Sequence, residues 1–117
     1  MGAPVVHFEV VGKDGKKLQD FYAKLFGWKI DANNSMNYGM VDNAGQGING
    51  GVYGSDTEQP ATRFYVAVPD MQATLDKAVS LGGKVLMPPT HEPDGPQIAM
   101  FADPEGNTIG LVPPMQP

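Results

Sequence analysis

The run Val5-Val6-His7-Phe8-Glu9-Val10-Val11 sets a histidine and a carboxylate two residues apart in an otherwise apolar stretch. In an extended chain alternate side chains share a face. His7 and Glu9 therefore project one way, and Val6, Phe8 and Val10 the other. An imidazole with an ordinary pKa near ~6.5 suits proton transfer at neutral pH, and a carboxylate beside it can act as a base. His7 and Glu9 are the candidate catalytic residues. A second run, Arg63-Phe64-Tyr65-Val66-Ala67-Val68, places Arg63 and Tyr65 on one face. The planar fork of Arg63 would favour a carboxylate, phosphate or phosphonate ligand, and Tyr65 would line the same space. Plain structural readings stand beside these. His7 is equally a hydrogen-bonded core histidine. Glu9 and Arg63 are equally a buried ion pair, since neither charge tolerates burial alone.

Trp28, Tyr38, Tyr53 and Phe101 could add aromatic wall to a ligand site or pack in the core. Met36, Met40, Met87 and Met100 could shape an adaptable pocket, though packing is the simpler role. His91 lies in a proline-rich stretch, Pro88 to Pro96, expected to be an irregular loop. It is either a solvated residue or, with Glu92, part of a lid. His91, Glu92 and Asp94 make only a weak metal signal, because consecutive side chains point apart. Gly45-Gln46-Gly47-Ile48-Asn49-Gly50-Gly51 lacks the lysine and the following helix of a phosphate loop. No GxSxG, cysteine nucleophile or zincin motif is present.

The elements that must carry these residues follow from periodicity. Val5 to Val11 reads as a buried strand. Leu18, Phe21, Tyr22, Leu25 and Phe26 recur at helical spacing, with Asp14 as N-cap and Gly27 where a left-handed C-terminal glycine belongs. Trp28–Ala32, Asn37–Asp42 and Gly47–Tyr53 read as short strands. After a linker, about 55–61, the order restarts. Arg63–Val68 is a strand, and Pro69-Asp70 opens a helix with Met71, Leu75, Ala78, Val79 and Leu81 on its apolar side. Lys84–Met87, Gln97–Ala102 and Asn107–Val112 are strands. Asp103-Pro104-Glu105-Gly106 fits a type I turn.

The unit is strand-helix-strand-strand-strand, written twice. An offset of 56 maps Phe8 onto Phe64, Asp14 onto Asp70, Leu25 onto Leu81 and Gly27 onto Gly83. Near the end of each half the offset becomes 59 and maps Gly47 onto Gly106 and Gly51 onto Gly110. We expect one domain over 1–117, with module one about 4–54 and module two about 62–113, of the α+β class.

The 117 residues carry a net charge of −5 and no cysteine. That excludes disulfides and thiolate metal sites. Area scaling predicts a folded surface near ~6,200 Å², enough burial for a core without staples. The acidic balance argues against nucleic acid and anionic membranes as partners. No apolar run approaches a membrane span and no signal peptide is evident, so the expected location is cytoplasmic. The 15 glycines and 11 prolines imply many turns or close backbone approaches.

The repeated βαβββ unit, the run HFEVVGKDGKKLQDFYAKLFGW and the ending FADPEGNTIGLV resemble the vicinal oxygen chelate superfamily. That group contains glyoxalases, bleomycin resistance proteins and extradiol dioxygenases. The resemblance covers about residues 4–113. It implies two tandem modules whose sheets form a cupped half-barrel, with a ligand site in the cup between them, and a homodimer. It also implies a divalent metal held from the first and last strands of each module. Those positions here are His7, Arg63, Gly110 and one of Asn49, Gly50 or Gly51. Arginine and glycine cannot ligate, and a catalytic site needs about three protein ligands. The expected protein is therefore a small-molecule binder without a catalytic metal or other cofactor. Its ligand-binding residues would be His7, Glu9, Arg63, Tyr65, Asn49 and Phe101. The alternatives are a metal-dependent lyase or isomerase of glyoxalase type, and a metal-free acid/base enzyme using His7 or Glu9.

Overall fold

The structure is a computed structural model that describes residues 2–92 and 95–114. It is an α+β fold of eight strands and two helices. The elements in chain order are β1 (Val5–Gly12), α1 (Gly15–Phe26), β2 (Ile30–Asp31), β3 (Gly39–Val41) and β4 (Asn49–Gly54). Then come β5 (Ala61–Ala67), α2 (Met71–Ser80), β6 (Lys84–His91), β7 (Gln97–Ala102) and β8 (Thr108–Val112). The βαβββ order is thus repeated as the sequence predicts. The chain divides into two compact units, one spanning His7–Arg63 and one built from Phe64 onward with the residues before His7.

In the His7–Arg63 unit the strands lie in the order β2-β3-β4-β1. The β2–β3 and β3–β4 pairs are antiparallel and the β4–β1 pair is parallel. Helix α1 is the crossover that a parallel pair requires. It begins at Asp14, whose carboxylate accepts from the Lys17 amide at 3.1 Å, and ends at Gly27 in the left-handed conformation, φ 71°. Only glycine takes that backbone at no steric cost. Val11, Val41 and Val52 are fully buried here.

The other unit orders its strands β5-β8-β7-β6, with β5–β8 parallel and the rest antiparallel. Helix α2 starts at Asp70, which accepts from the Ala73 amide at 3.0 Å. Its core is Val68, Met71, Leu75, Ala99 and Leu111, with Val66 and Phe101 packed against it. The Asp103–Gly106 turn closes as expected, with Gly106 N–H donating to Asp103 O at 2.9 Å.

Three expectations change. The proline-rich stretch is not a loop throughout, since β6 runs through Pro88 and Pro89 to His91. β6 is the last strand in its order and pairs only with β7 there, with register shifts between Val85 and Met87 and between Met87 and Thr90. Edge position and irregular pairing are where a strand tolerates missing donors. The helical apolar faces are only partly buried. α1 buries Gln19 and leaves Phe21, Leu25 and Phe26 more than half exposed, and α2 buries Met71 and Leu75 but exposes Val79 and Leu81. Correspondingly the accessible surface is 7688 Å², above the ~6,200 Å² that mass alone predicts. Asp94, from the weak metal signal, lies outside the described residues.

Candidate functional site

The β1–β4 register pairs His7 with Asn49, Phe8 with Gly50 and Glu9 with Gly51. Alternation then separates two faces. Phe8 packs on Trp28, ring centroids 5.3 Å apart, and Trp28 in turn meets Tyr22 and Phe26 of α1. That face belongs to the helix. His7 and Glu9 project to the other face, as the alternation predicts, and there they meet Tyr38, which the sequence does not place beside them.

Tyr38, just ahead of β3, stands between them. Its hydroxyl donates to Glu9 Oε2 at 2.9 Å and lies 2.8 Å from His7 Nε2. A phenol has one hydrogen. With that hydrogen given to Glu9, His7 Nε2 carries its own and donates to the phenol oxygen. Beyond Glu9 the chain of bonds continues. Arg63 Nε donates to Glu9 Oε1 at 2.6 Å, and Arg63 Nη2 donates to the Tyr53 hydroxyl at 2.9 Å. Arg63 Nη1 meets Glu58 Oε1 at 2.9 Å, and Tyr53 donates to Glu58 Oε2 at 2.6 Å. The side chains of Arg63 and Glu9 are 6% and 7% exposed. At that depth the pairing is what makes either charge tolerable. The ion-pair reading of Glu9 and Arg63 is therefore the one the structure shows.

Electrostatics follow from these contacts. Burial lowers the His7 pKa below its usual value, partly offset by the negative charge of Glu9. His7 is accordingly neutral at pH 7. Burial, together with the hydrogen bond to Glu58, pushes Tyr53 well above the usual phenol range. Burial alone would raise Glu58. The hydrogen bonds from Tyr53 and Arg63 and the Arg63 charge outweigh it and hold Glu58 below its usual value. Two carboxylates face one guanidinium, so the cluster leans negative. The half-buried rings of His7, Tyr38 and Tyr53 form a row above it. His7 and Tyr38 stack with centroids 6.3 Å apart, and Tyr38 and Tyr53 lie 5.4 Å apart.

Three candidates remain. Asn49 Oδ1 accepts from the Asn43 amide at 2.8 Å and ties off the turn ahead of β4. Tyr65 is buried in the other unit, paired in register with Gly110. Phe101 packs beside that unit's core cluster. Tyr38, Tyr53 and Glu58 are the participants that sequence reasoning left unassigned or read only as aromatic wall. Glu58 sits in the linker, where no periodicity marks it.

The metal positions implied by the resemblance can now be tested. Glu9 pairs with Gly51 as its repeat mate Tyr65 pairs with Gly110, which makes Gly51 the partner of Gly110 and fixes the register that the sequence left open. A Cβ at Gly51 would overlap the Tyr38 ring, and one at Gly110 would overlap the Tyr65 ring. Aromatic rings fill the space where ligating side chains would stand. Arg63 is held by two carboxylates, and His7 is bonded to Tyr38. Among the described residues no group of three or more His, Cys, Asp or Glu could hold a metal ion. These residues do not fit a metal centre.

The family model described as Glyoxalase/Bleomycin resistance protein/Dioxygenase superfamily matches residues 5–111. A Mycobacterium bovis protein named "Putative glyoxylase CFP32" is 31% identical over 107 residues, covering 84% of this chain and 41% of that protein. The chain thus spans about two-fifths of that relative's length. The structure of hypothetical protein BH1468 from Bacillus halodurans superposes with a TM-score of 0.73 at 10% identity, over 100% of this chain and 98% of that one. Methylmalonyl-CoA epimerase from Mycobacterium tuberculosis superposes with a TM-score of 0.67 at 15% identity, over 96% and 88%. At these identities the two structures share the fold.

Proposed function

We propose, for a chain that belongs to the Glyoxalase/Bleomycin resistance protein/Dioxygenase superfamily, that it binds a small organic molecule without a catalytic metal. The ligand lies on the His7-Tyr38-Tyr53 row and is neutral or cationic. One observation carries this reading: the Tyr38 hydroxyl bridges His7 and Glu9 while its ring covers Gly51. Aromatic faces above a negative cluster attract cations and flat apolar rings. Arg63, already bonded to Glu9, Glu58 and Tyr53, supports the row instead of recruiting an anion. Exposed Val79, Leu81, Val85 and Leu86 are compatible with the expected homodimer. No helix among the described residues is long and apolar enough to cross a membrane, and a cytoplasmic location remains part of the proposal.

A second reading rests on the same bonds. His7, neutral at pH 7 and bonded to Tyr38, sets an imidazole base on the row. A ligand proton taken there would convert the binder into a metal-free acid/base enzyme.

A thermal-shift screen of cationic, neutral and anionic aromatic fragments tests the binding reading. Stabilisation by cationic or neutral fragments, lost in Tyr38→Ala and Tyr53→Ala, is the expected result. Hits confined to anions and abolished by Arg63→Met would overturn it.

A further inference from the structure

The acidic total hides a local reversal of charge. Residues 13–29 hold five of the chain's eight Lys and Arg, and only two of its thirteen Asp and Glu. That segment is +3, and the remainder of the chain is −8. The basic stretch runs from the β1–α1 turn along α1, on the unit whose other face carries His7.

Beside this stretch lies an open groove of about 700 Å³. Its walls are apolar: Val10 and Val11 of β1, Leu18, Phe21 and Tyr22 of α1, and Pro60 and Ala61 at the start of β5. Lys13 and Lys17 line the same groove, with Asp14 between them. The Asp14 carboxylate is committed to the helix cap at the Lys17 amide. Lys13 Nζ donates once, to Glu58 O at 2.8 Å, and an ammonium has three donors. Phe21 stands edge-on to Tyr22 with ring centroids 5.1 Å apart and is still 56% exposed, a costly position for an aromatic ring.

We propose that this groove binds an amphipathic anion, a medium-chain carboxylate in chemical class. Its carboxylate would pair with the Lys13 and Lys17 ammonium groups and its chain would lie against Leu18, Phe21, Tyr22 and Ala61. The volume is within the ~300–1,000 Å³ range of small-molecule sites. The charge is complementary to the ligand and opposite to that of the rest of the chain. The residues lining the groove include none of His7, Tyr38 and Tyr53.

The chain has one tryptophan, and its ring is 5.6 Å from that of Tyr22 in the groove wall. Trp28 emission therefore reports occupancy. The test is a fluorescence titration of the full chain with sodium decanoate, with methyl decanoate and decyltrimethylammonium in parallel. Saturable binding of decanoate is expected, weakened about tenfold or more in Lys13→Gln/Lys17→Gln, with the neutral ester and the cation correspondingly weaker. His7→Gln should leave decanoate binding unchanged, which separates this site from the one proposed above. Equal binding of ester and carboxylate, an unaffected lysine variant, or no saturable response would overturn the proposal. So would sedimentation with phosphatidylglycerol vesicles when free decanoate gives no response, since the basic stretch would then be a membrane-facing surface.

Discussion

The ring of Tyr38 occupies the space that any side chain at Gly51 would need, and its hydroxyl reaches across to Glu9 Oε2 at 2.9 Å. The glycine is thus a condition for the tyrosine. Gly51→Ala should force the ring aside and cost about 1–3 kcal/mol. Tyr38→Phe keeps the ring but removes the bridge, leaving Glu9 and His7 short of a partner, at about 1–3 kcal/mol. If the two positions are coupled as described, Gly51→Ala becomes much milder in a Tyr38→Ala background. Urea denaturation of the four proteins closes the cycle.

Glu9 and Arg63 are a buried pair with side chains 7% and 6% exposed. Glu9→Ala removes the buried carboxylate from the guanidinium, whose remaining partners include the partly exposed Glu58 and the Tyr53 hydroxyl. The expected cost is about 3–5 kcal/mol, and Arg63→Met should cost a similar amount. The double variant Glu9→Leu/Arg63→Met should be clearly less damaging than the sum, because both deeply buried charges go together and the carboxylate left behind, Glu58, is partly exposed. Equilibrium unfolding at neutral pH measures all three. Strict additivity would contradict the pairing.

His7 contributes a pH dependence of definite sign. Its folded pKa lies below the ordinary value of 6.5. Below that ordinary value the unfolded chain binds a proton that the folded chain still refuses, so unfolding is favoured. The stability owed to neutral His7 is present above about pH 6.5 and is lost as pH falls from there through the folded pKa. The difference in unfolding free energy between the wild type and His7→Gln should shrink over that window. A constant difference would show that His7 is not held neutral.

Tyr53 works at the opposite end of the scale. Its phenol pKa is raised, so the folded chain keeps a proton that the unfolded chain releases above about pH 10. Stability is present below that pH and is lost as pH rises. Spectrophotometric titration at alkaline pH should show a phenolate step in the wild type that comes late and coincides with unfolding. Tyr53→Phe should lack that step.

Much of the fold was legible because its signals are local. Both N-cap aspartates and the glycine ending α1 stand where the periodicity predicts, and the 56-residue offset carries β1 onto β5 and α1 onto α2. The second offset pointed to Gly51 as the mate of Gly110 but left Asn49 and Gly50 open, and the strand register selects Gly51. What was not legible is long-range. Gln19 lies outside the apolar set of α1, yet it is buried and donates to Val52 O at 2.8 Å and Asn37 O at 3.1 Å. Phe21 and Leu25 read as core because hydrophobic spacing marks a face without saying how much of it is covered. Tyr38 and Glu58 meet His7 and Arg63 across separations that no spacing rule encodes, and Pro88 and Pro89 read as loop because edge position in a sheet is not a property of the stretch itself. Residue types indicated His7, Glu9 and Arg63. The tyrosines that connect them came from the tertiary arrangement.

The central claim is that Tyr38, and not a metal ion, joins His7 to Glu9. Titration of the purified chain with Zn²⁺ and Ni²⁺, following the His7 ring signals by NMR, tests it most directly. The account predicts no stoichiometric binding and a His7 ring unmoved by either ion, with ring shifts at His7 appearing only when Tyr38→Ala opens the bridge or an organic ligand is added. One equivalent of metal bound by the wild type, shifting the His7 ring and lost in His7→Ala, would contradict it.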